Sequence, residues 1–286
     1  MLRVTTVASL RGALAEARGK GSSIGFVPTM GALHRGHISL IERARRDADI
    51  VVVSIFVNPR QFGPKEDFER YPRPIEDDER IAEECGADVL FAPDVAEIYP
   101  ATPIVTISAG SVASRLEGKV RPGHFDGVLT VVAKLFNIVR PEFAVFGQKD
   151  LQQAALVGAM VRDLNMPLSI VVSPTVREQD GLALSSRNRF LSSAGRQSAL
   201  GLSRALAAAS GAYGEGERDP GELEAAGRAV LAADQRVVVD YFTVIDRRTF
   251  EPVAGDAGEE WAVVTAARVG TTRLIDNVLL GETSAD

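Results

Sequence analysis

The sequence predicts an α/β chain, a doubly wound parallel sheet of Rossmann type followed by a smaller α+β domain. Three observations carry that expectation. Short apolar runs alternate with stretches of helical period from Ser23 to Val172, the pattern of repeated βαβ units. One run, Ile50 to Val57, is apolar at almost every position, which fits a strand covered on both faces and therefore parallel to its neighbours. Near Pro174 the character changes to two helical stretches and three strand-like runs. A chain of 286 residues can hold two cores, so domains are expected at residues 1–175 and 176–286.

The elements follow in order. Val7, Leu10, Leu14 and Ala17 mark a helix over Thr6 to Arg18, and Ser23 to Val27 reads as a strand. Pro28 and Gly31 punctuate a turn, after which Ile38, Ile41 and Ala44 begin a helix at His37. The strand Ile50 to Val57 completes a right-handed crossover. A helix over Ile75 to Cys85, a short strand Asp88 to Phe91 and an irregular region to about Pro103 come next. Val128 to Val139 is apolar enough for a buried helix; Glu142 to Phe146, Leu151 to Leu164 and Leu168 to Val172 read as strand, helix and strand. In the second domain an alanine-rich helix, Ser193 to Ala209, leads to an exposed loop, Gly211 to Gly221, and a helix from Glu222 to Ala233. Strands are expected at Val237 to Ile245, Trp261 to Arg268 and Thr272 to Leu279.

Composition narrows the function. The chain is 45% hydrophobic and 24% charged, as in ordinary globular proteins. A formal net charge of -6 argues against general affinity for nucleic acid or an anionic membrane, so an anionic substrate must be captured locally. The single cysteine, Cys85, cannot form an internal disulfide, which fits a reducing compartment. Residues Met1 to Lys20 have no signal-like apolar core, and no run reaches the roughly 18 apolar residues of a membrane span. The expected location is the cytoplasm.

The motifs follow strands, where ligands of such sheets bind. Pro28-Thr29-Met30-Gly31-Ala32-Leu33-His34-Arg35-Gly36-His37 places two of three histidines at a helix mouth. Outward N–H groups and the helix dipole favour an anion there by roughly 0.3–1 kcal/mol, and two imidazoles add aimed donors. Gly36 leaves room for a phosphate or purine against the backbone. Zinc is disfavoured, because the pair lacks the i, i+4 spacing and the glutamate of a metalloprotease helix. Asn58-Pro59-Arg60-Gln61-Phe62 offers carboxamides on a rigid loop; read alone it is equally a plain connection. Phe146-Gly147-Gln148-Lys149-Asp150 puts an ammonium at a helix entrance, where it reaches phosphate or simply meets solvent, and Asp150 reads equally as an N-cap. Leu184-Ser185-Ser186-Arg187-Asn188 suits a flap over phosphates, with Gly181 nearby. Arg121-Pro122-Gly123-His124-Phe125-Asp126-Gly127 reads as another rigid polar loop. Asp77 and Asp78 suit magnesium held through water, or a solvated acidic helix turn.

Together these motifs carry a resemblance. His34-Arg35-Gly36-His37 resembles the HxGH signature of the HIGH superfamily of nucleotidyltransferases and class I aminoacyl-tRNA synthetases, and Leu184 to Asn188 resembles the counterpart of its KMSKS flap. The four motifs in this order, spread over the whole chain, are similar to those of the pantoate-β-alanine ligase family. That resemblance implies ATP and Mg2+, the substrates pantoate and β-alanine, a pantoyl adenylate intermediate and a homodimer. It implies that His34 and His37 bind the ATP phosphates and that Lys149 holds phosphate and the reacting carboxylate. Ser185, Ser186 and Arg187 would close over the β- and γ-phosphates. Pro28, Met30, Gly36, Gly147, Asp150, Val176 and Leu184 would complete the ATP site. Gln61 and Gln153 would grip pantoate against Met30 and Phe56, and Asp77 would serve the metal. Leu184 stands where the family commonly has methionine and Leu151 where tyrosine is frequent. A phosphate-accepting nucleotidyltransferase is a rival that the Asn58–Gln61 loop opposes; a nonenzymatic ATP sensor is opposed by His34, His37 and Lys149 together. A tRNA synthetase is opposed by an acidic C-terminal part without an evident basic surface.

Overall fold

Two interleaved sets of side chains along each central strand give the first sheet its two covered faces. In the computed structural model, which describes all residues except 65, 67, 254, 256–259 and 282–286, this sheet has six parallel strands. They are β1 (Leu2–Val4), β2 (Ile24–Thr29), β3 (Ile50–Ile55), β4 (Val89–Phe91), β5 (Phe143–Gly147) and β6 (Ser169–Ser173). Phe26 of β2, Val52 of β3 and Phe146 of β5 face one core; α1 (Val7–Gly19) adds Leu10 and Leu14 there, and α6 (His124–Val139) most of its length. Val27, Val51, Val53 and Val145 face the other, with Ile41 and Ala44 of α2 (Arg35–Asp47) and Ala82 of α3 (Ile75–Glu84). A period of two in a fully apolar run is how one strand serves both cores.

The chain separates into two compact units, Met1–Gln148 with Gln152–Pro174, and Lys149–Leu151 with Thr175–Asp286. Strand order in the first is β1-β4-β3-β2-β5-β6, so chain order reverses direction between β2 and β5. These neighbours pair only at Gly25↔Phe143 and Phe26↔Ala144, whereas β2 follows β3 from Ile24↔Ile50 to Thr29↔Ile55. Past Phe26 the sheet therefore splits. Pro28, expected in a turn, lies inside β2 on this stretch, where the N–H it lacks has no β5 partner to satisfy. The crevice at the carboxyl ends of β2 and β5 is the switch point at which such sheets bind ligands.

Several local expectations shift. β1 was not foreseen, since three residues carry no measurable period; it pairs with β4 at the sheet edge. Within the irregular region, Asp94 caps the single turn α4 (Val95–Ile98), accepting from Glu97 N at 2.7 Å. A further short helix is α5 (Leu116–Val120). The expected loop Arg121 to Gly127 is half helix: Gly123, at φ 79°, turns the chain, and α6 starts at His124 because His124 and Phe125 are buried. Its packing on the loop after β3 needs a glycine, since a Cβ on Gly127 would lie 2.3 Å from the Arg60 carbonyl. α7 (Leu151–Asp163) precedes β6.

The second unit packs α8 (Ser193–Gly214) and α9 (Pro220–Ala232) on an antiparallel sheet of β7 (Val237–Asp246), β8 (Trp261–Val269) and β9 (Thr272–Leu279). α8 outlasts the expected Ala209 despite two glycines. Tyr213 packs on the core, and the Arg218 guanidinium lies 3.9 Å from its ring centroid while donating to its carbonyl at 2.6 Å. Tertiary contact here outweighs helix propensity. α9 starts at Pro220 because Asp219 caps it, accepting from Gly221 N and Glu222 N, so residues 215–219 alone connect the helices.

Candidate active site

In the first unit, the turn after β2 is held from below by a carboxylate. Asp78 of α3 is 1% exposed and accepts from Ala32 N at 2.8 Å and Leu33 N at 2.6 Å. Burial pushes its pKa up, against the opposing pull of those two N–H groups. The turn has Gly31 at φ 81° and Ala32 at φ 52°, a region that L residues enter only under constraint. A Cβ on Gly31 would lie 2.8 Å from Asp78 Oδ2. Thr29 ties the turn to β3, donating to Ser54 O at 2.8 Å and accepting from Gly31 N at 3.1 Å. Asp78 is thus a turn clamp. Its neighbour Asp77 is exposed, 3.7 Å from Arg80, and among the described residues no group of three His, Cys, Asp or Glu converges to hold a metal.

The turn delivers His34 as the N-cap of α2. His34 Nδ1 accepts from Gly36 N at 3.1 Å, and His37 Nδ1 accepts from His34 N at 3.3 Å. The rings stack with centroids 4.2 Å apart and planes 32° apart. The expectation of bare N–H groups at this helix mouth is corrected: the histidines cap the backbone themselves. With Nδ1 accepting in both, a neutral ring carries its proton on Nε2, so each can present an N–H away from the helix. Their mutual capping fixes both rings before any ligand arrives.

Gln61 sits in a short 3₁₀ turn, Pro59–Gln61, after β3. It is 8% exposed, and its Nε2 donates to Met30 Sδ at 2.9 Å. Asn58, fully buried, donates through Nδ2 to Gln61 Oε1 at 3.1 Å and Gly127 O at 3.0 Å. Its Oδ1 accepts from Arg60 N and from the Tyr99 hydroxyl, whose pKa burial pushes up to about 12. Phe56, buried, lies with its ring centroid 6.1 Å from that of Tyr99. The Gln61 carbonyl accepts from His124 Nδ1 at 2.8 Å and Arg121 Nη2 at 3.4 Å. Because the carbonyl only accepts and Arg121 Nη1, 3.0 Å from His124 Nε2, only donates, His124 is neutral with its proton on Nδ1. Glu66 holds Arg121 through both oxygens, at 2.9 and 2.5 Å. Asn58, Arg121 and His124 were quoted in the motifs without these roles, which only the fold reveals.

Gly147 ends β5, and a Cβ there would meet nothing within 4 Å. On α7, buried Gln152 spends its carboxamide on Val112 O, Arg115 O and Glu117 N, while Gln153 beside it is half-buried and makes none of those bonds.

The second unit carries Lys149, Asp150, Val176, Leu184, Ser185, Ser186 and Arg187. Residues 176–184 fold back on themselves through Leu184 N to Val176 O at 3.0 Å and Glu178 N to Leu182 O at 2.8 Å, with Gly181 at φ 93°. Ser185 then caps a 3₁₀ turn, Ser186–Phe190, accepting from Arg187 N at 3.3 Å. Asn188 anchors that turn to Glu178 Oε1 at 2.7 Å and Ala183 O at 3.0 Å. Arg196 pairs with Glu178 and Asp180, both at 2.7 Å. By contrast, neither the Lys149 ammonium nor the Arg187 guanidinium has an ion-pair partner among the described residues. Two half-buried cations without an ionic partner among the described residues suit an anionic ligand.

Comparison with known proteins is consistent over the full length. Residues 3–279 match the model of the family described as pantoate-beta-alanine ligase. A pantothenate synthetase of Acidobacterium capsulatum is 52% identical over 296 residues, covering 100% of this chain and 99% of that protein. The chain is also similar to a Thermus thermophilus pantothenate synthetase crystal structure, at TM-score 0.92 and 48% identity over 97% of this chain and 99% of that one. A Francisella tularensis pantoate-beta-alanine ligase, solved in complex with beta-gamma ATP and beta-alanine, matches at TM-score 0.79 and 35% identity over 98% of this chain and 97% of that one.

Proposed function

The chain belongs to the pantoate-beta-alanine ligase family, and from that premise we propose how its residues divide the reaction. It is an ATP-dependent ligase that condenses pantoate with β-alanine to pantothenate, releasing AMP and pyrophosphate. The chemistry has two steps. The pantoate carboxylate attacks the α-phosphorus of ATP, expelling pyrophosphate and leaving pantoyl adenylate. The β-alanine amine then attacks the acyl carbon, the C–N bond forms and AMP departs.

The observation that carries the assignment of roles is the interlocked His34–His37 pair at the switch point. Nε2–H donors fixed in advance cost no reorganisation when charge builds on the transferring phosphate, which is where preorganised donors contribute most. Lys149 and Arg187 supply positive charge to the phosphates and the carboxylate, with Ser185 and Ser186 as donors beside them. Pro28, Gly36, Gly147, Asp150, Val176 and Leu184 form the nucleotide's walls. Pantoate is held by Gln61 and Gln153 against Met30 and Phe56. No enzyme nucleophile is needed, because holding carboxylate and phosphorus in line supplies up to about 7–11 kcal/mol.

Mg2+ enters with ATP as part of the substrate. Asp78 is committed to the backbone and Asp77 faces Arg80, so the chain offers no ready cage at that pair, and a phosphate-borne ion with water ligands suits such a site. A homodimer and a cytoplasmic setting complete the reading, the latter resting on the single cysteine. Product analysis with ATP, pantoate and β-alanine, each omitted in turn, tests it: pantothenate and AMP form only when all three are present. ADP in place of AMP would mean attack at the γ-phosphorus and would end the adenylate reading.

A further inference from the structure

We propose that Asp276 and Asn277, consecutive residues of β9, form one positioning anchor shared by Lys149 and by the loop that leads to Ser185–Arg187. The proposal rests on the reading of Lys149 and that loop as parts of the adenylating machinery. Both residues lie within the β8–β9 ladder, paired with Thr265 and Val264, and are 4% and 3% exposed. Successive strand residues project to opposite faces, so the two side chains reach in different directions from one rigid point.

Asn277 Nδ2 donates to the carbonyl of Lys149 at 3.0 Å. That bond fixes the peptide directly after the Lys149 Cα, and with it the origin of the side chain. Asp276 receives Arg177 through both oxygens, Nη1 to Oδ2 at 2.6 Å and Nη2 to Oδ1 at 3.0 Å. The same Arg177 Nη1 donates to Gly181 O at 3.1 Å, at the tip of the fold-back formed by residues 176–184. Asn277 N donates to Asp276 Oδ1 at 2.8 Å, joining the two halves of the anchor. With Asp276 buried and Arg177 only half-buried, the ion pair is weak support for stability, because desolvation offsets much of its attraction. Its geometry is specific, however. A planar guanidinium bound at both ends of its fork can hold a loop in only one pose. Lys149 and the flap loop, 27 residues apart at Val176, thereby share a single reference in the sheet. Neither depends on the other for its placement.

The test is pantoate-dependent exchange of labelled pyrophosphate into ATP, with thermal unfolding measured in parallel. Asn277→Ala is expected to lower the maximal exchange rate by about 10- to 100-fold, the range that follows from a displacement of about 1 Å. The KM values for MgATP and pantoate should stay within about threefold. In a Lys149→Ala background the same substitution should cost nothing further, because its effect runs through Lys149. Arg177→Lys, which keeps the charge and loses the fork, should lower the exchange rate about 10-fold with unfolding unchanged, and it serves if Asn277→Ala does not fold. Full exchange in either folded variant, or a complete further loss on top of Lys149→Ala, overturns the anchor. Absence of exchange in the unaltered protein would instead overturn the ligase reading on which it rests.

Discussion

Asp78 and Asp77 are neighbours in sequence with opposite parts in the structure, and exchanging each for asparagine separates them. Asp78 accepts two short backbone N–H bonds from the turn that carries His34. Asparagine can accept one of them and turns an NH2 toward the other donor. Bonds to a charged acceptor contribute about 1.5–3 kcal/mol each, and the burial that raises the Asp78 pKa offsets part of that, so the net loss is about 2–3 kcal/mol. In a unit of this size that lowers Tm by about 4–12 °C. Ala32, no longer held at φ 52°, lets His34 move, and turnover should fall by about 10- to 100-fold. Asp77→Asn breaks only an exposed pair with Arg80 and should shift Tm by no more than a degree or two, with turnover near normal. Thermal unfolding and steady-state pantothenate formation at saturating substrates read both variants. Normal Tm and turnover for Asp78→Asn would refute the clamp, and a raised Mg2+ requirement in Asp77→Asn would return that residue to the metal.

Lys149→Ala should cut single-turnover adenylate formation more than ATP affinity, because its charge matters most as the phosphate reacts; weak binding with an intact chemical step would make it only an anchor. Gln61→Ala should weaken pantoate by about 1–3 kcal/mol with ATP affinity nearly unchanged, as measured by separate titrations. Equal weakening of both would place Gln61 elsewhere. Burial raises the Glu66 pKa, but the bonds from Arg121 outweigh it and leave the carboxyl below its ordinary 4.5. A depressed acid contributes stability above its unfolded value and loses it as pH falls through the folded one. The stability this pair contributes should therefore be full above about pH 4.5 and fall below it, and Glu66→Gln should show the lower Tm already at neutral pH. Tm profiles of the two proteins that do not converge in acid would remove the pair from the support of the Gln61 loop.

Periodicity made most of the fold legible. The run at Ile50–Ile55 announces a strand buried on both sides, and β9 was expected at the residues it occupies. What escaped was set by contacts distant in sequence. Pro28 reads as a turn until the divergence of β2 from β5 removes the need for its N–H. α8 continues through Gly211 because Tyr213 has a core to meet. At the site, His34 and His37 stand out by rarity and spacing, but their capping of each other does not. The same holds for support residues. Asp78 reads as one acid in an acidic run, His124 as part of a loop and Asn277 as a polar residue in a strand. Their partners lie 45, 63 and 128 positions away, at Leu33, Gln61 and Lys149. No short motif contains such pairs.

In the proposed reaction a carboxyl adenylate forms before the amine is used. Radiolabelled pyrophosphate, ATP, Mg2+ and pantoate, with β-alanine left out, test it most directly. Label should appear in ATP only when pantoate is present, and His34→Ala should lower that exchange by on the order of 100-fold. Exchange without pantoate, or none until β-alanine is added, would contradict it.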